Sequence, residues 1–231
     1  MILYLIPLPI AEDEKYLPSE VINTIHSLSY FIVEKARTAR RFIKSTGYQG
    51  SIDNLVFIEL DKHNPGKTDK SILKPALEGK PMGLMSEAGM PCIADPGSKI
   101  VLFAHEAGIK VVPLPGPSSI FLALAASGLN GQSFSFEGYL PLKDDQLSKK
   151  LDFISKSIKS HNKTHIFIET PYRNNQLFEK LMRSMPDNFR LCIAADISSQ
   201  NEFIRTMEIK KWKKTSVPEL HKINCVFLLG K

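Results

Sequence analysis

The feature that most restricts the possible fold is the alternation of short apolar runs with amphipathic segments along the first 115 residues. Runs such as ILYLI (2–6) and YFIV (30–33) have the length and composition of buried strands. The segment 18–28 between them carries apolar residues at helical spacing behind a Pro-Ser start. Strands that alternate with helices in this way predict a parallel sheet covered by helices on both faces.

The second half of the chain repeats the alternation less regularly. A long helical pattern (144–159) precedes the strand-like THIFIET (164–170), and RLCIAADI and CVFLLG read as further strands. We therefore predict an α/β protein with two α/β domains: residues 1–115 with a mainly parallel sheet, and residues 116–231 with a mixed sheet.

Three loops rich in proline or glycine follow predicted strands of the first domain: IPLPI (6–10), SEAGMPCIADPG (86–97) and PLPGPSS (113–119). Proline fixes φ and glycine lets backbones approach closely, so such loops are stiff. Parallel strands end at one edge of a sheet, and ligands of open α/β sheets bind beyond that edge. We expect the three loops to converge there and to form a binding site, whereas a single such loop would be an ordinary turn.

Familiar catalytic motifs are missing from the sequence. It contains no GxGxxG or GxxxxGK[ST], so neither a Rossmann dinucleotide site nor a P-loop is expected. It also lacks the GxSxG elbow of acyl-enzyme hydrolases and the HExxH pattern of zinc sites. We therefore expect no metal at this site.

Composition leaves several partners possible. The net charge is 30 − 24 = +6, which permits an anionic partner such as RNA but is also compatible with solvated lysines. Three cysteines in apolar contexts, without a CxxC pair, fit free thiols in the reducing cytoplasm. No apolar run reaches the ~18 residues of a membrane helix, so no membrane association is expected.

Five segments in order, LYLIPLPI, LMSEAGMPCIADPG, EAGIKVVPLPGPSS, FSFEGYLP and FIETPYR, resemble the tetrapyrrole methylase superfamily. The resemblance covers nearly the whole chain, and it is greatest to the branch that methylates a cytidine ribose 2′-hydroxyl of small-subunit ribosomal RNA. It implies a methyltransferase of two α/β domains, with S-adenosylmethionine in the cleft between them. It also implies a homodimer, a role in ribosomal RNA processing in the cytoplasm, and the small ribosomal subunit as partner.

Positions that match the family's cofactor site can be named. In the first domain the resemblance implies contacts from Pro7, Pro9, Ser86, Glu87, Ala88, Gly89, Ile93, Ala94, Asp95 and Ser118. At and after the domain boundary it implies contacts from Ser119, Ile168, Glu169, Thr170, Ala194, Ala195, Asn224 and Cys225. Rigid loops keep the entropy cost of binding low, and backbone N–H groups suit the methionine carboxylate.

The sequence departs from the family at several of these segments. The family's Pro-x-Gly-Asn, Glu-Asp-Thr-Arg, Ser-Asp-Ala-Gly-Thr-Pro and Arg-Glu-Leu-Thr-Lys correspond here to PIAED, EKAR, SEAGMP and AADISS. Cofactor binding is compatible with these changes, but the methyl acceptor stays open. A ribose hydroxyl benefits from a base or a nearby cation, and the candidates for catalysis are Glu34, Arg37, Glu169 and Arg173. The alternative is that each of these four side chains forms a structural ion pair and takes no part in catalysis.

Two basic segments could contact RNA phosphates: the helix pattern with Lys35, Arg37, Arg40, Arg41 and Lys44, and KKWKK at 210–214. The alternatives are a solvated helix face for the first and a charged turn for the second. Two further functions also stay open. One is methylation of a tetrapyrrole or another small molecule, and the other is cofactor binding by a protein with weakened catalysis.

Overall fold

The computed structural model describes residues 1–11, 17–60, 69–216 and 219–231. The chain divides into two compact units, Met1–Ser118 and Ser119–Lys231. Most of the strands and helices predicted from the sequence are found within a few residues of their expected bounds, and the predicted α/β class is confirmed.

The first unit is a sheet of parallel strands. Its elements are β1 (Ile2–Ile6), α1 (Ser19–Ser27), β2 (Tyr30–Val33), α2 (Ala36–Ser45), β3 (Val56–Glu59), α3 (Lys74–Leu77), β4 (Met82–Met85), α4 (Ser98–Glu106) and β5 (Lys110–Pro113). Short 3₁₀ turns lie at Ile52–Asn54 and Lys70–Leu73. The strand order is β3-β2-β4-β1-β5, and all four pairings are parallel.

Apolar side chains cover both faces of this sheet. Phe31 and Val33 of β2 pack in one cluster with buried residues of α1 and α2, including Ile25. Ile32, between them in sequence, points to the other face and packs in a second cluster with Ile100 of α4. Successive residues of a strand point to opposite faces, so an apolar run is what a sheet covered on both sides requires.

The second unit holds a mixed sheet. Its elements are α5 (Ser119–Ser127), β6 (Phe134–Tyr139), α6 (Asp144–His161), β7 (Thr164–Ile168), α7 (Asn174–Ser184), β8 (Arg190–Ala195), β9 (Phe203–Glu208), α8 (Ile209–Trp212) and β10 (Cys225–Gly230). A 3₁₀ turn lies at Pro171–Arg173. The order is β6-β7-β10-β8-β9, in which β6 and β7 are parallel and the other pairs antiparallel.

One large apolar cluster forms the core of the second unit. It joins the buried faces of α6 and α7 to β7, β8 and β10, with Phe167 stacked on Phe227 at 5.9 Å between ring centroids. The predicted apolar positions Leu147, Leu151 and Ile154 all belong to it, as expected for one face of a helix.

Candidate functional site

Three loops of the first unit leave the sheet at the same edge. In the parallel register Ile6 of β1 lies opposite Met85 of β4, and Leu5 lies opposite Pro113 of β5. The three strands are neighbours in the order β4-β1-β5, so the loops that follow them start side by side. The convergence predicted from the parallel strands is confirmed.

The three loops also touch one another. Leu8 and Gly89 exchange two backbone hydrogen bonds, with N–O distances of 2.9 and 3.0 Å. Gly116 lies so close to the first loop that a Cβ placed on it would be 2.2 Å from Cγ of Pro7. A Cβ on Gly89 would lie 3.6 Å from the Pro117 carbonyl oxygen. The loops therefore support one another as a rigid rim at the sheet edge.

The loop after β4 has an unusual backbone. Two of its non-glycine residues, Cys92 and Ala94, adopt φ angles of 68° and 65°. Gly97 ends the loop at a φ of 130°, and a Cβ there would lie 2.9 Å from Sγ of Cys92. Ile93 and Ala94 are nevertheless exposed. Left-handed residues outside glycine cost energy and recur where a loop is shaped for a ligand.

Glu87 of this loop is tied to the segment after β2. Its Oε2 pairs with Nζ of Lys35 at 3.1 Å and accepts a hydrogen bond from Oγ1 of Thr38 at 3.3 Å. Glu59 holds the same segment from the other side, because its Oε1 accepts the N–H of Ala36 at 2.5 Å. Lys35 and Ala36, where the sequence departs from the family, thus lie in an ordered junction between three strand ends.

The remaining predicted residues of the first unit take different positions. Glu34, Ser86 and Ser118 are buried, and Oγ of Ser86 donates to the carbonyl oxygen of Ala88 at 3.1 Å. Arg37 is exposed on α2. Glu12 and Asp13, the last two residues of the PIAED segment, lie outside the described residues.

Ser119 is the first residue of α5, and the other predicted residues of the second unit lie at or just beyond one edge of its sheet. β10 is antiparallel to both β7 and β8, with Cys225 opposite Ala195 and Val226 opposite both Ala194 and Ile168. The ends of β7 and β8 therefore lie beside the start of β10. The Asn224 carbonyl oxygen accepts the N–H of Asp196 at 2.9 Å, which continues the same edge.

Two predicted catalytic side chains of this unit are partners of each other. Arg173 lies 3.4 Å from Oε2 of Glu169, and Oε1 of Glu169 accepts the N–H of Thr170 at 2.7 Å. The alternative of a structural ion pair thus has direct geometric support. Burial and the nearby Asp196 raise the pKa of Cys225 to about 12, so this residue presents a neutral thiol.

The KKWKK segment spans helix α8 and the turn that follows it, and it is not an aromatic contact surface. Trp212 is only 1% exposed, and its Nε1–H donates to the Leu191 carbonyl oxygen at 2.9 Å. Lys210 and Lys213 pair with Glu208 and Asp187 at 3.2 and 2.5 Å. Trp212 is therefore a core residue and does not form an aromatic contact to RNA, the first of the two interpretations of this segment.

Sequence reasoning missed a groove in the first unit. It has a volume of about 390 Å³ and is lined by Leu8, Pro9, Ala11, Thr38, Arg41, Phe42, Ser45 and Glu87. Four of these residues lie on α2 at intervals of three and four, the spacing of one helix face. That spacing was visible in the sequence, but it does not show that the first loop forms the opposite wall.

Sequence reasoning also missed a buried polar group in the second unit. Nδ1 of His165 and Nζ of Lys150 lie 2.7 and 2.6 Å from the carboxylate of Glu137. His165 is 1% exposed, and burial lowers its pKa despite the opposing effect of Glu137. Among the described residues, no three His, Cys, Asp or Glu side chains could together hold a metal ion. No described helix is long and apolar enough to cross a membrane.

Comparison with known proteins gives a consistent result. The family model of Tetrapyrrole (Corrin/Porphyrin) Methylases matches residues 3–212. The chain is 32% identical over 208 residues to "Ribosomal RNA small subunit methyltransferase I" of Vibrio cholerae, covering 90% of this chain and 69% of the relative. It is 29% identical over 215 residues to the protein of the same name in Escherichia coli O157:H7, covering 92% and 72%.

Solved structures show the same fold. The chain resembles the crystal structure of the methyltransferase CobJ with a TM-score of 0.63 and 16% sequence identity. The match covers 100% of this chain and 93% of the other. The expected fold of the resembled family is thereby confirmed.

Proposed function

Because the chain belongs to the tetrapyrrole (corrin/porphyrin) methylase family, we propose that it transfers a methyl group from S-adenosylmethionine to a ribose 2′-hydroxyl of small-subunit ribosomal RNA. The chain is a methyltransferase, as its family and relatives are. The donor, the acceptor, the homodimer and the cytoplasmic location are parts of the proposal. The names of the relatives support ribosomal RNA as the acceptor class.

The observation that carries the proposal is the rigid rim of three loops in the first unit. The Leu8–Gly89 backbone pair and the close approach of Gly116 to Pro7 fix its shape before any ligand binds. Ile93 and Ala94 are exposed residues of this rim, and backbone groups of such a loop can offer donors and acceptors to a zwitterionic ligand. Such a preformed surface fits the cofactor, because little conformational entropy is lost when it binds.

Residues of the first-unit loops would hold the cofactor: Pro7, Pro9, Ser86, Glu87, Ala88, Gly89, Ile93, Ala94, Asp95 and Ser118. In the second unit the proposed contacts are Ser119, Ile168, Glu169, Thr170, Ala194, Ala195, Asn224 and Cys225. When bound, the sulfonium of the cofactor supplies an already activated methyl group. The task of the protein is then to orient the groups and to keep water away.

The acceptor hydroxyl also needs a base that takes its proton or a cation that stabilises the negative charge developing on its oxygen. Both carboxylate oxygens of Glu169 already have partners, so we propose that Glu169 holds Arg173 in place and does not accept the proton. Arg37 is exposed and fits the role of a cation near the acceptor. Glu34, buried at the end of β2, remains the candidate base.

Calorimetric titration with S-adenosylmethionine and S-adenosylhomocysteine tests the cofactor site. We expect Ser119→Trp, at the first residue of α5, to abolish binding. Ser27→Trp is the control, because Ser27 is an exposed residue at the last position of α1. A folded wild-type protein that binds neither compound would contradict the proposal.

A second assay tests the acceptor. Purified small ribosomal subunits without ribose methylation and a porphyrinogen substrate are offered separately, together with labelled S-adenosylmethionine. Label in the ribosomal RNA alone supports the proposal, whereas label in the porphyrinogen alone would replace it with a small-molecule methyltransferase. Cofactor binding without label in either acceptor would favour a protein with weakened catalysis.

A further inference from the structure

The groove beside the cofactor loops lies wholly in the first unit. The first loop forms one wall with Leu8, Pro9 and Ala11, and α2 forms the other. Its volume of about 390 Å³ falls within the range of roughly 300–1,000 Å³ that is typical of small-ligand sites. Apart from Pro9 and Glu87, its lining residues have no place in the proposed cofactor site.

The helix that forms this wall is strongly basic. Arg37, Arg40, Arg41 and Lys44 are all exposed, and α2 contains no acidic residue. Like charges four residues apart destabilise a helix, and cations near its first turn oppose the helix dipole. An arrangement that costs stability in the isolated protein is favourable when an anion binds.

Most of these cations form no ion pair with a described carboxylate. Among the described residues, none lies within ion-pair distance of Arg37, Arg41 or Lys44, and Arg40 stacks over the ring of Phe57 at 5.2 Å. The basic segment around α8 differs, because two of its lysines are paired with carboxylates. Within the part of the chain that the structure describes, the charges of Arg37, Arg41 and Lys44 are therefore available to a partner.

The groove itself combines an apolar floor with polar groups. Phe42 and Pro9 supply apolar surface, and Arg41 supplies a cation. Glu87 is the acidic residue of the lining, and its charge is offset by Lys35 at 3.1 Å. An aromatic ring beside an arginine suits a nucleotide, since bases stack on aromatic side chains and phosphates pair with arginine.

We propose that the groove and the exposed cations of α2 bind a single-stranded segment of the RNA that carries the acceptor. One nucleotide occupies the groove, and neighbouring phosphates pair with Arg37, Arg41 and Lys44. Lys44 lies seven positions after Arg37, about 10.5 Å along the helix axis, which allows contacts to more than one phosphate. This inference rests on the proposed function and adds the surface that holds the substrate.

The test measures the affinity for a fluorescein-labelled single-stranded RNA fragment of the small subunit by anisotropy at several salt concentrations. The variant is Arg41→Ala with Lys44→Ala. The matched control is Lys211→Ala with Lys214→Ala, which removes the same charge from exposed positions of the second unit. We expect the α2 variant to bind about tenfold more weakly at 0.1 M salt and its log–log salt slope to fall by about 1.4. The control should change the affinity less than about twofold.

A third variant tests the groove separately from the charge. Ser45→Trp, at the exposed last residue of α2, would fill the groove without removing a cation. We expect weaker RNA binding with an unchanged salt slope. All variants should bind S-adenosylmethionine as the wild type does, which also shows that they are folded.

Equal weakening by the α2 variant and the control would overturn the inference, because the effect would then reflect net charge alone. Unchanged binding by the α2 variant would overturn it as well. If the α2 variant loses RNA affinity but the wild type transfers no methyl group to RNA, the proposed function fails while this surface stands. If the wild type methylates small subunits and both variants of α2 keep full affinity, the proposed function stands and this inference fails.

Discussion

The close contact between Gly116 and Pro7 gives the most specific prediction about the loop rim. In Gly116→Ala the new Cβ would lie 2.2 Å from Cγ and 2.5 Å from Cβ of Pro7. Carbon atoms in contact are normally about 3.5–4.0 Å apart, so the two loops must separate by about 1.3 Å or more. The proline ring cannot rotate out of the way, because it is closed onto its own backbone.

The expected cost of this overpacking is about 1–3 kcal/mol in the free energy of unfolding. Leu8, the residue after Pro7, forms backbone hydrogen bonds with Gly89. A separation of the first and third loops should therefore also disturb the cofactor loops and weaken the binding of S-adenosylmethionine. Urea denaturation gives the stability and calorimetry gives the affinity. Gly131→Ala is the control, because nothing lies within 4 Å of its added Cβ.

Equal stability and equal cofactor affinity for Gly116→Ala and Gly131→Ala would refute this reasoning. It would mean that the first and third loops are free to move apart, and that a preformed rim does not contribute to binding. A loss of stability without any loss of cofactor affinity would refute the functional part alone.

Three further predictions concern stability and reactivity. Trp212→Phe removes the hydrogen bond to the Leu191 carbonyl and should lower the free energy of unfolding in urea by about 1–3 kcal/mol, whereas an exposed tryptophan would give no effect. Burial holds the pKa of His165 below its usual 6.5 in the folded protein. As the pH falls, the imidazole of the unfolded chain therefore becomes protonated at a higher pH than that of the folded chain. Stability should therefore fall as the pH drops below 6.5, and His165→Gln should flatten that part of the thermal-midpoint profile; an identical profile would contradict it. Burial also raises the pKa of Cys92 from 9.0 to about 11, so its reaction with a disulfide reagent at pH 8 should be about a hundredfold slower than that of a free thiol, and a free-thiol rate would contradict this.

Much of the fold was predictable because the periodicity of apolar residues indicates which positions are buried, and proline and glycine mark the ends of strands and helices. The run YFIV has no polar face, and the structure places it between two helical layers. The convergence of the Pro-Gly loops followed from parallel topology alone. The confirmed fold class therefore needed only local patterns and the rule that parallel strands end together.

The site was less predictable where it depends on contacts between distant residues. Nothing in the sequence shows that Lys35 pairs with Glu87, 52 positions away, or that Glu137 joins His165 and Lys150. Periodicity likewise does not reveal that Trp212 turns into the core while its neighbouring lysines stay exposed. The assignments of the catalytic and cofactor-binding residues stay predictions, because they depend on a bound donor and acceptor.

The most direct test of the proposed function is mass spectrometry of small-subunit RNA after reaction with S-adenosylmethionine. Unmethylated subunits are incubated with the protein and isotopically labelled cofactor, and the RNA is digested to nucleosides. We predict one 2′-O-methylated nucleoside that carries the label and is absent when the Ser119→Trp variant replaces the wild type. RNA without label, from a protein that binds the cofactor and is folded, would contradict it.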